Sequence, residues 1–213
     1  MRTDDLIDVL STHVEQVDRR QLMRMIGAAI GISTALVVAV VLVVLGVRPD
    51  LIAAGPIAFL FLKLAFTAVV LVPASIFLVR LARPGGEHKT PVTLLALPFI
   101  VIMALAAVSL ALTPSSHWHD VVLGDQWLEC LLSIPIIAVV PFVVLVWVVR
   151  RTAPTDLSRA GALAGLVAGT VSAIGYAFHC TDDSLPFIAL WYGGTIAVCT
   201  LAGAALGPRL LRW

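Results

Sequence analysis

Six long stretches of this chain carry no charged side chain, or only one, and that pattern leaves few folds open. Residues 25–47, 90–116, 130–149, 160–178 and 184–208 contain no Asp, Glu, Lys or Arg, and 51–79 is interrupted only by Lys63. A bilayer core about 30 Å thick takes about 20 helical residues, so each stretch is long enough to cross once. Transmembrane strands would read as shorter alternating segments, a pattern this sequence does not show. The expected fold is all-α: a polytopic membrane protein, a six-transmembrane-helix bundle. Its spans are expected near 25–47, 57–79, 91–112, 128–149, 160–178 and 186–207, after a short amphipathic helix in residues 1–24. Composition agrees, since 13% of the 213 residues are charged and 60% are hydrophobic, against roughly 25% charged in a soluble domain. The formal net charge of +1 leaves no electrostatic footprint for direct contact with nucleic acid.

Orientation follows from the basic residues. With the N-terminus inside, Arg2, Arg19, Arg20, Arg24, Arg80, Arg83, Lys89, Arg150, Arg151, Arg159, Arg209 and Arg212 are cytoplasmic, twelve of the fourteen Lys and Arg. The outer side then holds only Arg48, and Lys63 lies within a span. Both termini are expected in the cytoplasm of a bacterial cell, with the bundle in its inner membrane. The first apolar run is too long for the core of a cleavable signal and follows 24 mostly polar residues, so it is read as a retained span.

Small residues recur at helical spacing in three spans: Gly27, Gly31, Ala35 and Ala39; Gly161, Gly165 and Gly169; and Gly203 and Gly207. Such ridges let helix backbones approach closely. They are read first as packing within the bundle, and second as a sliding face or a homodimer contact. Pro73, Pro98, Pro135 and Pro141 lie inside spans and are expected to bend them. Trp118, Trp127, Trp191 and Tyr192 are placed toward the outer membrane interface, Trp147 and Trp213 toward the inner one.

In residues 1–24, Thr3 suits a helix N-cap and Asp4 and Asp5 suit its first turn. Leu6, Ile7, Leu10, Val14 and Val17 form an apolar stripe. The stripe either lies in the lipid headgroups or docks a cytosolic protein. Asp4, Asp5, Asp8, Glu15 and Asp18 disfavour an anionic leaflet, which leaves the two readings evenly balanced.

Cys130 opens the fourth span and Cys180 closes the fifth, both on the outer side, where the compartment is oxidising. A disulfide between them needs Cα atoms within about 7 Å, which the sequence does not fix. Cys199 lies deep in the last span and reads as a buried small hydrophobe. Around the outer pair fall His117, His119, Asp120, Asp125, Glu129, His179, Asp182 and Asp183. Their donor types suit a soft or borderline metal, but the spacing matches no zinc pattern, and most read as solvated loop polarity. Lys63 is the one ionisable residue well inside a span. It snorkels to the outer surface, pairs with Glu129, or stabilises a thiolate at Cys130 or Cys180. No C-x-x-C, H-E-x-x-H, G-x-S-x-G or phosphate-binding glycine loop is present. Neither catalysis nor a cofactor is expected.

An ordered set of short motifs extends along the chain. It opens with Thr3-Asp4-Asp5-Leu6-Ile7-Asp8, Gly46-Val47-Arg48-Pro49-Asp50-Leu51, Phe61-Leu62-Lys63-Leu64-Ala65 and Arg80-Leu81-Ala82-Arg83-Pro84-Gly85. It continues with Trp127-Leu128-Glu129-Cys130, Tyr176-Ala177-Phe178-His179-Cys180, Ala189-Leu190-Trp191-Tyr192 and the terminal Leu206-Gly207-Pro208-Arg209-Leu210-Leu211-Arg212-Trp213. On these residues the chain resembles the NrsF family of six-span bacterial anti-sigma factors. The resemblance implies a membrane protein that sequesters an extracytoplasmic-function sigma factor and releases it under heavy-metal or oxidative stress. It also implies sensing at Cys130 and Cys180, and it carries over no role for Lys63 and His179, which with Glu129 stand as candidate accessory residues. The rival expectations are a small-solute or metal-ion transporter using Lys63 and the outer histidines, and a thiol enzyme.

Overall fold

The computed structural model describes residues 19–50, 54–82, 92–152 and 154–212. The apolar stripe Leu6, Ile7, Leu10, Val14 and Val17, and the Thr3 cap, lie outside the described residues. Among those described the chain is helical and free of strands. Helix α1 spans Arg19–Val44 and α2 spans Ala54–Leu81. A 3₁₀ stretch, Val92–Ala96, runs into α3, Leu97–Leu112. The short α4, Trp118–Leu123, precedes α5, Trp127–Arg150, and α6, Leu157–Ala177. The last helical segment, α7, runs over Leu185–Leu210 with a π-helical stretch at Ile188–Tyr192. Six segments are long and apolar enough to cross a membrane, the bundle expected from the charge-free runs. Arg20 and Arg24 belong to α1 itself, so the basic cluster begins the crossing helix.

α6 is the axis of the bundle. It is buried along nearly its whole length and packs against α1, α2, α5 and, most extensively, α7. Its sequence explains the position, because Ala160, Gly161, Ala164, Gly165, Ala168 and Gly169 leave no side chain to hold a neighbour away. A Cβ on Gly161 would lie 2.6 Å from the Gly207 Cα, and one on Gly165 would fall on the backbone of Cys199 and Gly203. Lipid tails are as apolar as the helices, so dispersion across such close contacts, rather than exclusion of water, holds helix to helix. The ridges of the fifth and sixth spans are therefore one internal seam. Gly27 and Gly31 differ, with nothing within 4 Å of an added Cβ. Cys199 is packed into the seam against Gly165 and Gly169, as its reading as a buried hydrophobe required.

Two expectations are refined. Pro98 lies inside the third crossing segment, Thr93–Leu112, but in the first turn of α3 after the 3₁₀ stretch, where its missing N–H leaves no helical bond unmade and so does not force a bend. Tyr192 ends the π-helical stretch and is fully buried, so its ring faces the bundle interior and not the headgroups.

Candidate functional site at the cysteine end of the bundle

The turn after α1, the N-terminus of α5 and the 178–184 segment before α7 meet at one end of the bundle. Gly46 ends α1 with φ of 84°, a left-handed conformation that glycine adopts without a Cβ clash. Its N–H donates to the Val41 carbonyl at 3.0 Å, and the chain turns to aim Arg48 inward. The Arg48 N–H then donates to the Phe178 carbonyl at 3.1 Å, which fixes this turn to the segment carrying Cys180.

The Arg48 side chain is fully buried, and all five of its N–H donors are used. Nε and Nη2 grip Asp50 at 2.7 and 2.9 Å. Nη1 and Nη2 grip Asp183 at 3.0 and 2.6 Å, and Nη1 also donates to the Cys180 carbonyl at 3.0 Å. Lys63, equally buried, donates from Nζ to Asp183 and to the same Cys180 carbonyl, each at 3.1 Å. Its ammonium lies 5.7 Å from the Tyr192 ring centroid, a cation–π contact. Two buried cations thus face two carboxylates. Hydrogen bonds from Arg48 hold Asp50 below the usual carboxylate range. The hydrogen-bonded carboxylates of Asp50 and Asp183 in turn hold the guanidinium proton more firmly than usual.

Cys130 and Cys180 are both fully buried and carry free thiols. Cys130 lies in the first turn of α5, the turn that Asp182 caps, and Cys180 lies two residues before Asp182, with its carbonyl on Lys63 Nζ. Burial pushes the Cys180 thiol up, and the nearby Lys63 ammonium offsets this only in part. Desolvation and the Lys63 ammonium thus act on this thiol in opposite directions, with desolvation the larger. The Tyr192 hydroxyl faces the Cys180 thiol. Neither it nor the buried Tyr176 hydroxyl finds a hydrogen-bond partner among the described nitrogen and oxygen atoms.

A second set of contacts locks the neighbouring loop. The Asp182 carboxylate accepts from the Asp125 and Gln126 backbone N–H groups at 3.1 and 2.8 Å, and so caps α5, whose N-cap Gln126 supplies no side-chain cap bond. Gln126 Oε1 accepts from the Thr181 N–H at 3.2 Å. Gly124, with φ of 60°, leaves room for that carboxylate, which an added Cβ would meet at 2.6 Å. Ser184 Oγ and Trp191 Nε1 donate to the Val121 and Val122 carbonyls at 2.6 and 2.8 Å.

The residues singled out in the sequence divide accordingly. Cys130, Cys180 and Lys63 come together. Lys63 pairs with Asp183 rather than Glu129, because Asp183 lies on the same segment as the Cys180 carbonyl it already reaches. Glu129 is largely exposed and lies 4.0 Å from His179 Nε2, while His179 Nδ1 pairs with the Gly46 carbonyl at 3.1 Å. His117 and His119 are exposed. No three His, Cys, Asp or Glu among the described residues are grouped to hold a metal. Asp183, one of the donors grouped around the outer cysteines, is the partner that matters, and it is joined by Arg48 and Asp50, to which the sequence assigns no role beyond their motif. The available signal was that Arg48 is the single basic residue assigned to the outer loops, within the tripeptide Arg48-Pro49-Asp50.

Residues 10–213 match a family model described as NrsF, negative regulator of sigma F. The chain is 31% identical over 213 residues to the probable anti-sigma-F factor NrsF of Azospira oryzae, with both chains covered in full. It is also 31% identical over 217 residues to the anti-sigma-F factor NrsF of Caulobacter vibrioides, again over all of both chains. No solved structure matches.

Proposed function

The chain belongs to the NrsF family of negative regulators of sigma F, and from that premise we propose that it is a membrane-bound anti-sigma factor governed by Cys130 and Cys180. The family carries the regulatory role. The observation that carries the control is the junction of two buried thiols from separate helix ends with the Arg48, Lys63 and Asp183 cluster. The distribution of basic residues supports a cytoplasmic location for the opposite end of the bundle. There the chain holds an extracytoplasmic-function sigma factor in the resting state, and the N-terminal stripe Leu6, Ile7, Leu10, Val14 and Val17 docks it.

The stress step is oxidation. Cys130 and Cys180 lose two protons and two electrons to a peroxide, which is reduced to two waters, and an S–S bond replaces two S–H bonds. Two thiols with no third ligand grouped beside them among the described residues suit this better than a closed metal site. The new bond ties α5 to the segment before α7. For sigma affinity to fall a hundredfold, the two states must differ by about 2.7 kcal/mol of coupling. Lys63 supports a regulator over a transporter, since its ammonium is enclosed and engaged by Asp183, the Cys180 carbonyl and Tyr192.

Affinity capture of the detergent-solubilised chain from its host under reducing conditions tests this reading. A sigma factor is expected with the intact chain and not with a chain lacking residues 1–24. Capture without any sigma factor contradicts the reading, and capture that survives the deletion moves the docking surface to the loops between spans.

A further inference from the structure

A change at Cys180 has to reach the basic end of the bundle, and the α6–α7 seam is poorly suited to carry it. Its contacts at Gly161, Gly165, Gly203 and Gly207 are backbone against backbone, and a close-packed interface of that kind leaves little slack for graded movement. Another connection exists. Residues 46–48, immediately after α1, are joined to residues 178–180 at three points: Arg48 N–H to the Phe178 carbonyl, His179 Nδ1 with the Gly46 carbonyl, and Arg48 Nη1 to the Cys180 carbonyl. From this clasp α1 runs unbroken to Arg19 at the opposite end. It touches the bundle along a single buried stripe, Leu22, Ile26, Ala29, Ser33, Val37 and Val41, while Val40, Val43 and Val44 are exposed. A helix held on one stripe and gripped at one end is suited to move as a rod.

We propose that Arg48 is the positioning residue that couples the Cys180 segment to α1, so that closing the thiol pair shifts α1 and, through it, the N-terminal segment. The proposal rests on the reading of Cys130 and Cys180 as the responsive pair. The Cys180 carbonyl accepts from both Arg48 and Lys63, so a displaced Cys180 backbone must break those bonds or pull the cations with it. Arg48 is the stronger grip, because two carboxylates hold its guanidinium in fork-to-fork pairs, which fix geometry as well as charge.

The test uses the full chain in nanodiscs, treated with diamide, whose N=N bond takes up the two protons and two electrons released as the disulfide forms. Free thiols are counted, and amide hydrogen exchange is followed in α1 and α7. In the wild type, oxidation removes the Cys130 and Cys180 thiols and alters exchange along α1. In Arg48→Gln the thiols are still consumed and the α1 response is lost; in Arg48→Lys, which keeps charge but not the fork, it is partly restored. Asp183→Asn, which leaves Arg48 its Asp50 partner, gives a reduced α1 response and serves if Arg48→Gln does not fold. An α1 response in Arg48→Gln equal to the wild type overturns the proposal. So does a wild-type response confined to α7, or a wild-type pair that diamide does not oxidise. No sigma factor enters this assay, so an α1 response in a chain that captures no sigma factor refutes the anti-sigma reading and leaves the clasp standing.

Discussion

The α6–α7 seam and the cysteine end solve the same problem with opposite means. Both must hold helices together where water offers no help. At the seam, Gly161 and Gly165 meet Gly203 and Gly207 with no side chains between, so the contact is held chiefly by dispersion, with a polar tie from Ser158 Oγ to the Ala204 carbonyl at 3.2 Å. At the cysteine end, Arg48, Lys63, Asp50 and Asp183 join three segments through directed bonds. Charged contacts of this kind are strong when complete and costly when one partner is removed. The difference teaches where a switch can sit. A close-packed seam is a frame, whereas a polar cluster beside two free thiols is where the proposed second state would form.

The hardest way to break that contrast is to put a side chain into the seam. In Gly165→Leu the new side chain meets the Cys199 and Gly203 backbone, which cannot yield as a side-chain tip would. The folded bundle is expected to be lost, read as failure to elute as a single species in detergent. Next in size is Asp183→Ala. It leaves buried Lys63 without its carboxylate, while Arg48 keeps Asp50. A loss of about 3 kcal/mol is expected, at the low end for removing one partner of a buried ion pair. Thermal unfolding in one detergent measures it against the wild type.

The sequence made the frame readable and the cluster only in part. Six apolar runs bounded by charge mark the spans, because each must satisfy its backbone internally in lipid. Gly161, Gly165 and Gly169 announce the seam because their spacing is local. Cys130 and Cys180 fall at the same end because topology alone puts them there. The partners of Lys63 did not follow, since Asp183 lies far away in sequence and only the turn at Gly46 and the capping of α5 by Asp182 bring the loops together. Arg48 was counted as an exception to a charge rule, when its isolation among apolar spans was the sign of a buried pair. The open face at Gly27 and Gly31 shows that a small-residue ridge, read alone, does not say what it packs against.

The smallest effect on the fold, and the largest on control, is expected from Cys130→Ser and Cys180→Ser together. Serine nearly matches the thiol in shape, and the surrounding ion cluster stays intact, so the bundle is expected to fold and to retain its sigma factor. The most direct test of the central claim is sigma-factor retention by the nanodisc-embedded chain before and after peroxide, in the wild type and in this double variant. The account predicts release on the order of a hundredfold from the wild type, the coupling set out above, and none from the variant. Equal release from both, or retention by both, would contradict it.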